Sequence, residues 1–238
     1  MPAADLQPDN LKKAYELAYR KACEEFRRWD PADMAASSGS SFDAATKTIS
    51  LRYVSDQYKV AFPSGEVAFA HKNEAVPTTV KVVLLHYLVR AGGQPLKNEV
   101  ISFKEIPQGG MLYIDAFNKR IINYLTAVFA GQPAMLVQAG VKLGGGEAGR
   151  GDFAVRLDIL PRLPVTFVLW SGDEEFPPAA TVLFDATAPF YLPTEDLVVA
   201  TGFCVGQLAR AARQLKEAGC DNVPADKVLA MRKKEVRV

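Results

Sequence analysis

The residue with the clearest potential for chemistry is His86, which lies in residues 84–88, inside the most apolar of the predicted helices. A buried imidazole must find a hydrogen-bond partner or act as a ligand, because an unpaired buried polar group costs roughly 1 to 3 kcal/mol. His86 could be satisfied by an ordinary protein partner. It could also be the axial ligand of a metal held in an apolar cavity, such as haem iron or the cobalt of a corrinoid.

The second histidine, His71, follows a predicted β-meander in a polar setting, where we expect it to be exposed. The chain has just two histidines, so a histidine-ligated cofactor must use one of them. A loop histidine can reach a bound ligand, and both residues are therefore candidate axial ligands. Tyr87 and Phe103 are the aromatic side chains that we expect to line the cofactor cavity.

A second candidate site is acidic. Asp173, Glu174 and Glu175 follow one another directly after a predicted strand, and Asp185 is nearby in the sequence. Carboxylates can bind a divalent cation or perform acid–base chemistry. Neighbouring residues of an extended chain point in opposite directions, so Asp173 and Glu175 could share a face. Capping or salt bridging is the alternative role for Asp173, Glu175 and Asp185.

Two further features suggest chemistry less directly. The glycine-rich segment 144–151 lacks the Lys-Ser/Thr ending of a phosphate-binding loop and leads into a strand, which predicts a mobile loop or a lid over a pocket. Cys23, Cys204 and Cys220 are too widely spaced for a four-cysteine cluster or a zinc site. We expect free thiols, with Cys204 acting as a small buried hydrophobic residue.

The elements that must position these residues belong to an α+β fold. Residues 46–70 alternate with period two, which predicts an antiparallel meander, and residues 153–159 and 165–170 predict a second hairpin. Helical periodicity predicts several helices, over residues 11–29, 80–91, 111–130 and 194–218, with a brief one after Pro133. Glu195 and Asp196 fall in the first turn of the last helix, where the helix dipole favours negative charge.

Composition predicts a single α+β domain over residues 1–222 and a basic C-terminal tail over 223–238. Apolar residues make up 49% of the chain and charged residues 23%, as in ordinary globular proteins. The net charge of +1 carries no basic stripe, so we expect no nucleic-acid partner. No apolar run is long enough to span a bilayer, and no leader is evident, so we expect a cytoplasmic protein without membrane contact.

Four motifs, in order along the chain, resemble the family catalogued as domain of unknown function 3786. They are LLHYL at residues 84–88, ISFKE at 101–105, WSGDEEFP at 170–177 and LFD at 183–185, within a resemblance that extends from about Ala14 to Val199. The family is met chiefly in anaerobic bacteria and archaea, and members are often labelled iron-sulfur proteins. Some carry a separate cysteine-rich segment, which this chain does not have, so we expect no iron-sulfur cluster of its own. The resemblance implies an iron-sulfur or corrinoid-dependent redox partner.

These observations predict a non-catalytic accessory protein of anaerobic metabolism that binds a tetrapyrrole, with corrinoid (cobalamin) ahead of haem, in an apolar pocket reached by His86 or His71. The first alternative is a divalent-metal-dependent enzyme that uses Asp173, Glu175 and Asp185. The second alternative is a structural or docking module of an iron-sulfur redox assembly.

Overall fold

The computed structural model describes residues 8–107 and 109–219. The α-helices are α1 (Pro8–Phe26), α2 (Pro31–Ser38), α3 (Thr78–Arg90), α4 (Gly110–Phe117), α5 (Asn123–Phe129), α6 (Ala134–Lys142) and α7 (Thr194–Glu217). The strands are β1 (Ser41–Asp43), β2 (Thr48–Tyr53), β3 (Asp56–Ala61), β4 (Val67–Phe69), β5 (Val100–Ser102), β6 (Gly146–Glu147), β7 (Phe153–Leu160), β8 (Leu163–Trp170) and β9 (Ala179–Asp185). A π-helical segment (Asn118–Ile122) joins α4 to α5, and short 3₁₀ turns occupy Phe103–Glu105 and Ala188–Phe190.

The first sheet is a four-stranded antiparallel meander in the order β1-β2-β3-β4. Its period-two pattern has a physical origin, since Ile49, Leu51 and Tyr53 are buried while the residues between them are partly exposed. The predicted meander is therefore confirmed, and one face of the sheet contributes to the core.

The second sheet is five-stranded and antiparallel, in the order β5-β9-β8-β7-β6. The predicted hairpin is the pair β7–β8 at its centre, with Val155 opposite Phe167 and Leu157 opposite Val165 on the face that packs against helices. Two antiparallel sheets packed with separate helices make an α+β fold, as the sequence predicts.

Helix α3 is the central helix of the core. Seven of its thirteen residues are buried, and it packs between α1, α2 and α7. This confirms the prediction from its nearly continuous apolar sequence. A hydrophobic cluster of buried side chains extends from Ala22 in α1 through both sheets to Leu215 in α7.

The two sheets meet where the β2–β3 turn contacts the β7–β8 hairpin. The backbone N–H of Val54 donates to the Ile159 carbonyl at 2.7 Å, and Arg52 donates to the Asp158 carbonyl at 3.0 Å. The predicted basic tail, residues 223–238, and Cys220 lie outside the described residues. Within residues 8–107 and 109–219, no helix combines the length and apolar character needed to cross a membrane.

Candidate functional site

The strongest candidate site is a histidine–carboxylate pair that joins two core helices. His86 projects from α3, and its Nδ1 lies 2.6 Å from a carboxylate oxygen of Asp196 in the first turn of α7. The two residues are 110 positions apart in sequence and come together because α3 packs against α7. The imidazole is therefore oriented by a carboxylate through one of its two ring nitrogens.

The second ring nitrogen of His86, Nε2, has no hydrogen-bond partner among the described residues. Across the described part of the chain, Nδ1 is the ring atom with a hydrogen bond, and 28% of the side-chain surface is exposed. The hydrogen bond with Asp196 raises the pKa of His86; desolvation opposes this effect, and Glu25 of α1 adds to it. A neutral imidazole that donates Nδ1–H to a carboxylate presents Nε2 as a base or as a metal ligand.

A surface groove lies at the C-terminal end of α1. It has a volume of about 500 Å³ and is lined by Lys21, Glu24 and Glu25 of α1 and by Arg28 and Trp29, which follow the helix. Trp29 is 52% exposed, which gives the groove an aromatic wall. Glu25 belongs both to the groove and to the charges that act on His86, which is itself not one of the lining residues.

The other predicted cofactor residues have different surroundings. His71 is exposed in the segment after β4, as predicted. Tyr87 is fully buried, and its hydroxyl donates to the Ser38 carbonyl at 2.7 Å and accepts from the Arg162 backbone N–H at 2.9 Å. Phe103 is also buried, stacked on the ring of Phe117 with centroids 3.9 Å apart. Both aromatic side chains are core residues, and neither borders the groove or the cleft described below.

The predicted acidic residues do not form a cluster. Asp173 is exposed and accepts the backbone N–H groups of Glu175 and Phe176, which lower its pKa, so it acts as a turn cap. Asp185 is 5% exposed at the end of β9. Residues 8–107 and 109–219 contain no group of three or more His, Cys, Asp or Glu side chains placed to hold a metal ion. The divalent-metal enzyme therefore stays a prediction without a geometric site.

The glycine-rich segment 144–151 covers part of the outer face of the second sheet. Ala148, Gly149 and Arg150 line a cleft of about 230 Å³ together with Arg156, Thr166 and Asp185. The predicted lid over a pocket thus has a pocket beneath it, although a lid motion stays a prediction. This cleft is polar and belongs to a different part of the molecule from His86.

The two cysteine thiols in the described part of the chain show no activated environment. Cys204 is fully buried and its pKa is raised by desolvation, which confirms the prediction of a small buried residue. Cys23 is half-buried, and burial raises its pKa as well. Neither thiol favours the thiolate that nucleophilic attack requires.

Sequence reasoning did not find the role of Asp196. The sequence identified Asp196 as a carboxylate in the first turn of the last helix. That position predicts a favourable interaction with the helix dipole and nothing more. The pairing with His86 depends on how α3 and α7 cross, and local sequence patterns carry no signal for that. A histidine inside an apolar helix, together with an acidic first turn on another helix, is the hint that the sequence offers.

Comparison with known proteins gives a family. Neither the curated proteins nor the solved structures contain a significant match to the chain. A family model described as a domain of unknown function (DUF3786) matches residues 30–207. The matched range includes the whole of α3, both sheets and the first turns of α7, and hence both members of the His86–Asp196 pair. The chain therefore belongs to the DUF3786 family of proteins.

Proposed function

We propose that this protein is a non-catalytic binding protein for a tetrapyrrole, with corrinoid ahead of haem, and that His86 is the axial ligand. The supporting observation is the 2.6 Å contact between His86 Nδ1 and Asp196, which leaves Nε2 without a protein partner among the described residues. Metal-ligating histidines commonly donate their other ring N–H to a carboxylate, which fixes the ring and increases its basicity.

The number of available ligands favours a macrocycle over a free ion. A structural or catalytic metal ion takes three or four protein ligands, and no such cluster occurs in the described part of the chain. A tetrapyrrole supplies four nitrogen ligands itself and needs a single axial side chain. One oriented imidazole is therefore sufficient for a tetrapyrrole and insufficient for an isolated divalent cation.

The groove at the end of α1, which contains Glu25, one of the charges that act on His86, suggests where the macrocycle would lie. Trp29 offers an aromatic surface, and Lys21 and Arg28 offer donors for polar groups at the periphery of the ring. This differs from the apolar interior pocket that the sequence suggested, because the groove is open and four of its five lining residues are charged. Tyr87 and Phe103 would then contribute by holding α3 and the 103–105 turn in place.

A shallow, charged binding surface fits an accessory role better than catalysis. An exposed cofactor can be passed to or approached by another protein, and the family relationship suggests iron-sulfur or corrinoid-dependent redox proteins as those partners. A docking module of an iron-sulfur assembly would use the same exposed surface and stays an alternative prediction.

The test is a titration of the anoxically purified chain with cobinamide, which has no lower base of its own, and separately with haemin. We expect a stoichiometric coloured adduct that co-elutes with the protein on gel filtration. His86→Ala should lose the spectral signature of imidazole ligation, and added free imidazole should restore it. Asp196→Asn should weaken binding by roughly 10- to 100-fold.

His71→Ala is the matched control, because it removes the other imidazole from an exposed site. It should bind both macrocycles like the wild type. A wild type whose spectrum does not change with either macrocycle would overturn the proposal. An adduct that persists in His86→Ala but disappears in His71→Ala would transfer the ligand role to the exposed residue.

A further inference from the structure

We propose a second binding site, for a small oxyanion, in the cleft on the outer face of the five-stranded sheet. The cleft is separate from the groove at the end of α1 and shares no lining residue with it. Its volume of about 230 Å³ suits a phosphate group, a small phosphate ester or a compact dicarboxylate, and is below the size of typical drug-sized ligand pockets.

The floor of the cleft is set by the register of the central strands. Arg156 on β7 lies directly opposite Thr166 on β8, so both side chains stand on the same face of the sheet. This is the face turned away from the helices, and Arg156 is accordingly exposed. Thr166 is only 8% exposed, which places its hydroxyl at the base of the cleft.

The roof is the glycine-rich segment, which is held at both of its ends. The N–H of Ala148 donates to the Ala154 carbonyl at 2.9 Å, and the N–H of Asp152 donates to the Leu169 carbonyl at 3.2 Å. Gly151 has φ +58° and approaches the sheet so closely that a Cβ would lie 2.5 Å from a methyl carbon of Val168. The segment therefore presents Arg150 from a fixed backbone position.

The lining of the cleft has more positive than negative side chains, which favours binding of an anion. Arg150 has no ion-pair partner in residues 8–107 and 109–219, and the Nε of Arg156 is 3.9 Å from the nearest oxygen of Asp158, beyond hydrogen-bond range. Asp185 is the one carboxylate among the lining residues, and both of its oxygens already accept protein hydrogen bonds.

The donor set matches oxyanion chemistry. Two guanidinium groups can each offer paired N–H donors to phosphate or carboxylate oxygens, and the Thr166 hydroxyl and the Asn98 side chain add neutral donors. Asp185 brings one negative charge to the cleft, and its oxygens are already occupied by four protein hydrogen bonds. An incoming dianion therefore meets Arg150, which has no ion-pair partner among the described residues, and Arg156, whose ion pair with Asp158 is long at 3.9 Å.

The test is calorimetric titration of the full chain with inorganic phosphate and, in a separate arm, with succinate, at constant ionic strength. We expect saturable binding of at least one of them, and the stronger arm assigns the phosphate or the carboxylate class. Arg150→Gln and Arg156→Gln should each weaken binding by roughly tenfold or more, because each removes a charge-assisted hydrogen bond. Thr166→Val should weaken it less.

Arg213→Gln is the matched control, since it makes the same change in net charge at an exposed position of α7 outside the cleft. It should bind like the wild type. The proposal is overturned if neither anion binds, if binding survives in the Arg150→Gln/Arg156→Gln double variant, or if Arg213→Gln weakens it equally. Thermal unfolding without ligand shows that each variant is folded, and macrocycle binding at His86 should be unchanged in all of them.

Discussion

Asp185 and Asp196 are both nearly buried carboxylates, 5% and 8% exposed. They differ in the groups that they bind. Asp185, at the end of β9, accepts hydrogen bonds from the backbone N–H groups of Lys97, Asn98 and Thr187 and from the Thr187 hydroxyl, at 2.6 to 3.2 Å. Asp196, at the start of α7, contacts the imidazole of His86.

The difference between the two carboxylates lies in whether their hydrogen-bond donors have a second functional atom. Backbone N–H groups have no second function, so the charge of Asp185 is used to tie the 97–98 segment to β9 and to the turn that follows it. An imidazole has a second nitrogen, so Asp196 acts on a partly exposed ring whose Nε2 has no protein partner among the described residues. Burial of a carboxylate is therefore no guide to function until its donors are known.

The two regions also respond to pH with opposite signs. Burial pushes the pKa of Asp185 upward, but hydrogen bonds from Thr187 and the backbone outweigh it and hold the pKa below the ordinary 3.8. Its stabilising effect is complete above that ordinary value and is lost as pH falls through the lowered pKa. The pKa of His86 is raised above 6.5, so its effect is complete below 6.5 and is lost as pH rises through the raised pKa.

The largest expected effect is that of Asp185→Asn. The new side chain has the same shape, but its NH₂ group faces a backbone N–H donor, which leaves buried donors without acceptors. We expect a loss of about 2 to 4 kcal/mol in the free energy of unfolding, measured by urea denaturation at neutral pH. Asp158→Asn, at an exposed carboxylate on β7, is the control and should change little. Equal stability of the two variants would contradict the structural role of Asp185.

Thr187→Val also tests the structural role of Asp185, because it removes a single hydrogen-bond donor to that carboxylate. Thr187 is 1% exposed, and its hydroxyl donates to Asp185 at 2.6 Å, while its backbone N–H donates to the same oxygen. Valine keeps the volume and the backbone hydrogen bond, so we expect a loss of about 1.5 kcal/mol, smaller than for Asp185→Asn. In the double variant the two losses should not add, because both residues belong to one network. Additive losses would mean that they act independently.

His86→Gln tests the other region and should have a smaller effect that depends on pH. In the wild type the unfolding free energy should fall as pH rises from 6.5 through the raised pKa, because the imidazole loses its charged hydrogen bond with Asp196 when it is deprotonated. The variant should lack this decline, and His71→Gln should retain it. A decline of the same size in His86→Gln would assign it to another group.

The sequence predicted the fold well where its patterns are local. Period-two alternation identified β2 and the β7–β8 hairpin, and the apolar run at residues 82–88 identified a central helix. The π-helical segment at Asn118–Ile122 was not foreseen, because it interrupts one continuous predicted helix without glycine or proline. The order of strands in the second sheet, with β5 beside β9, also depends on long-range packing.

The sequence predicted some residues of the candidate sites but not their partners. His86 stood out because a polar ring in an apolar helix needs a partner, and the structure supplies that partner in Asp196. Asp185 was noticed for its charge, yet its role depends on the backbone of residues 97 and 98, which no side-chain pattern reveals. The position of Arg156 opposite Thr166 follows from strand register, which the sequence predicts only after the hairpin turn is fixed.

The smallest expected effect is that of the double variant Asp173→Ala/Glu175→Ala. Asp173 accepts two backbone hydrogen bonds, as a turn-capping carboxylate does, but it is exposed, so water can replace the carboxylate as acceptor. We expect unchanged unfolding by urea and unchanged divalent-metal content by elemental analysis. A stoichiometric divalent ion that is present in the wild type and lost in this variant would instead support the acidic metal site. The contrast with Asp185→Asn isolates burial as the variable, because both aspartates cap backbone N–H groups and only one does so out of reach of water.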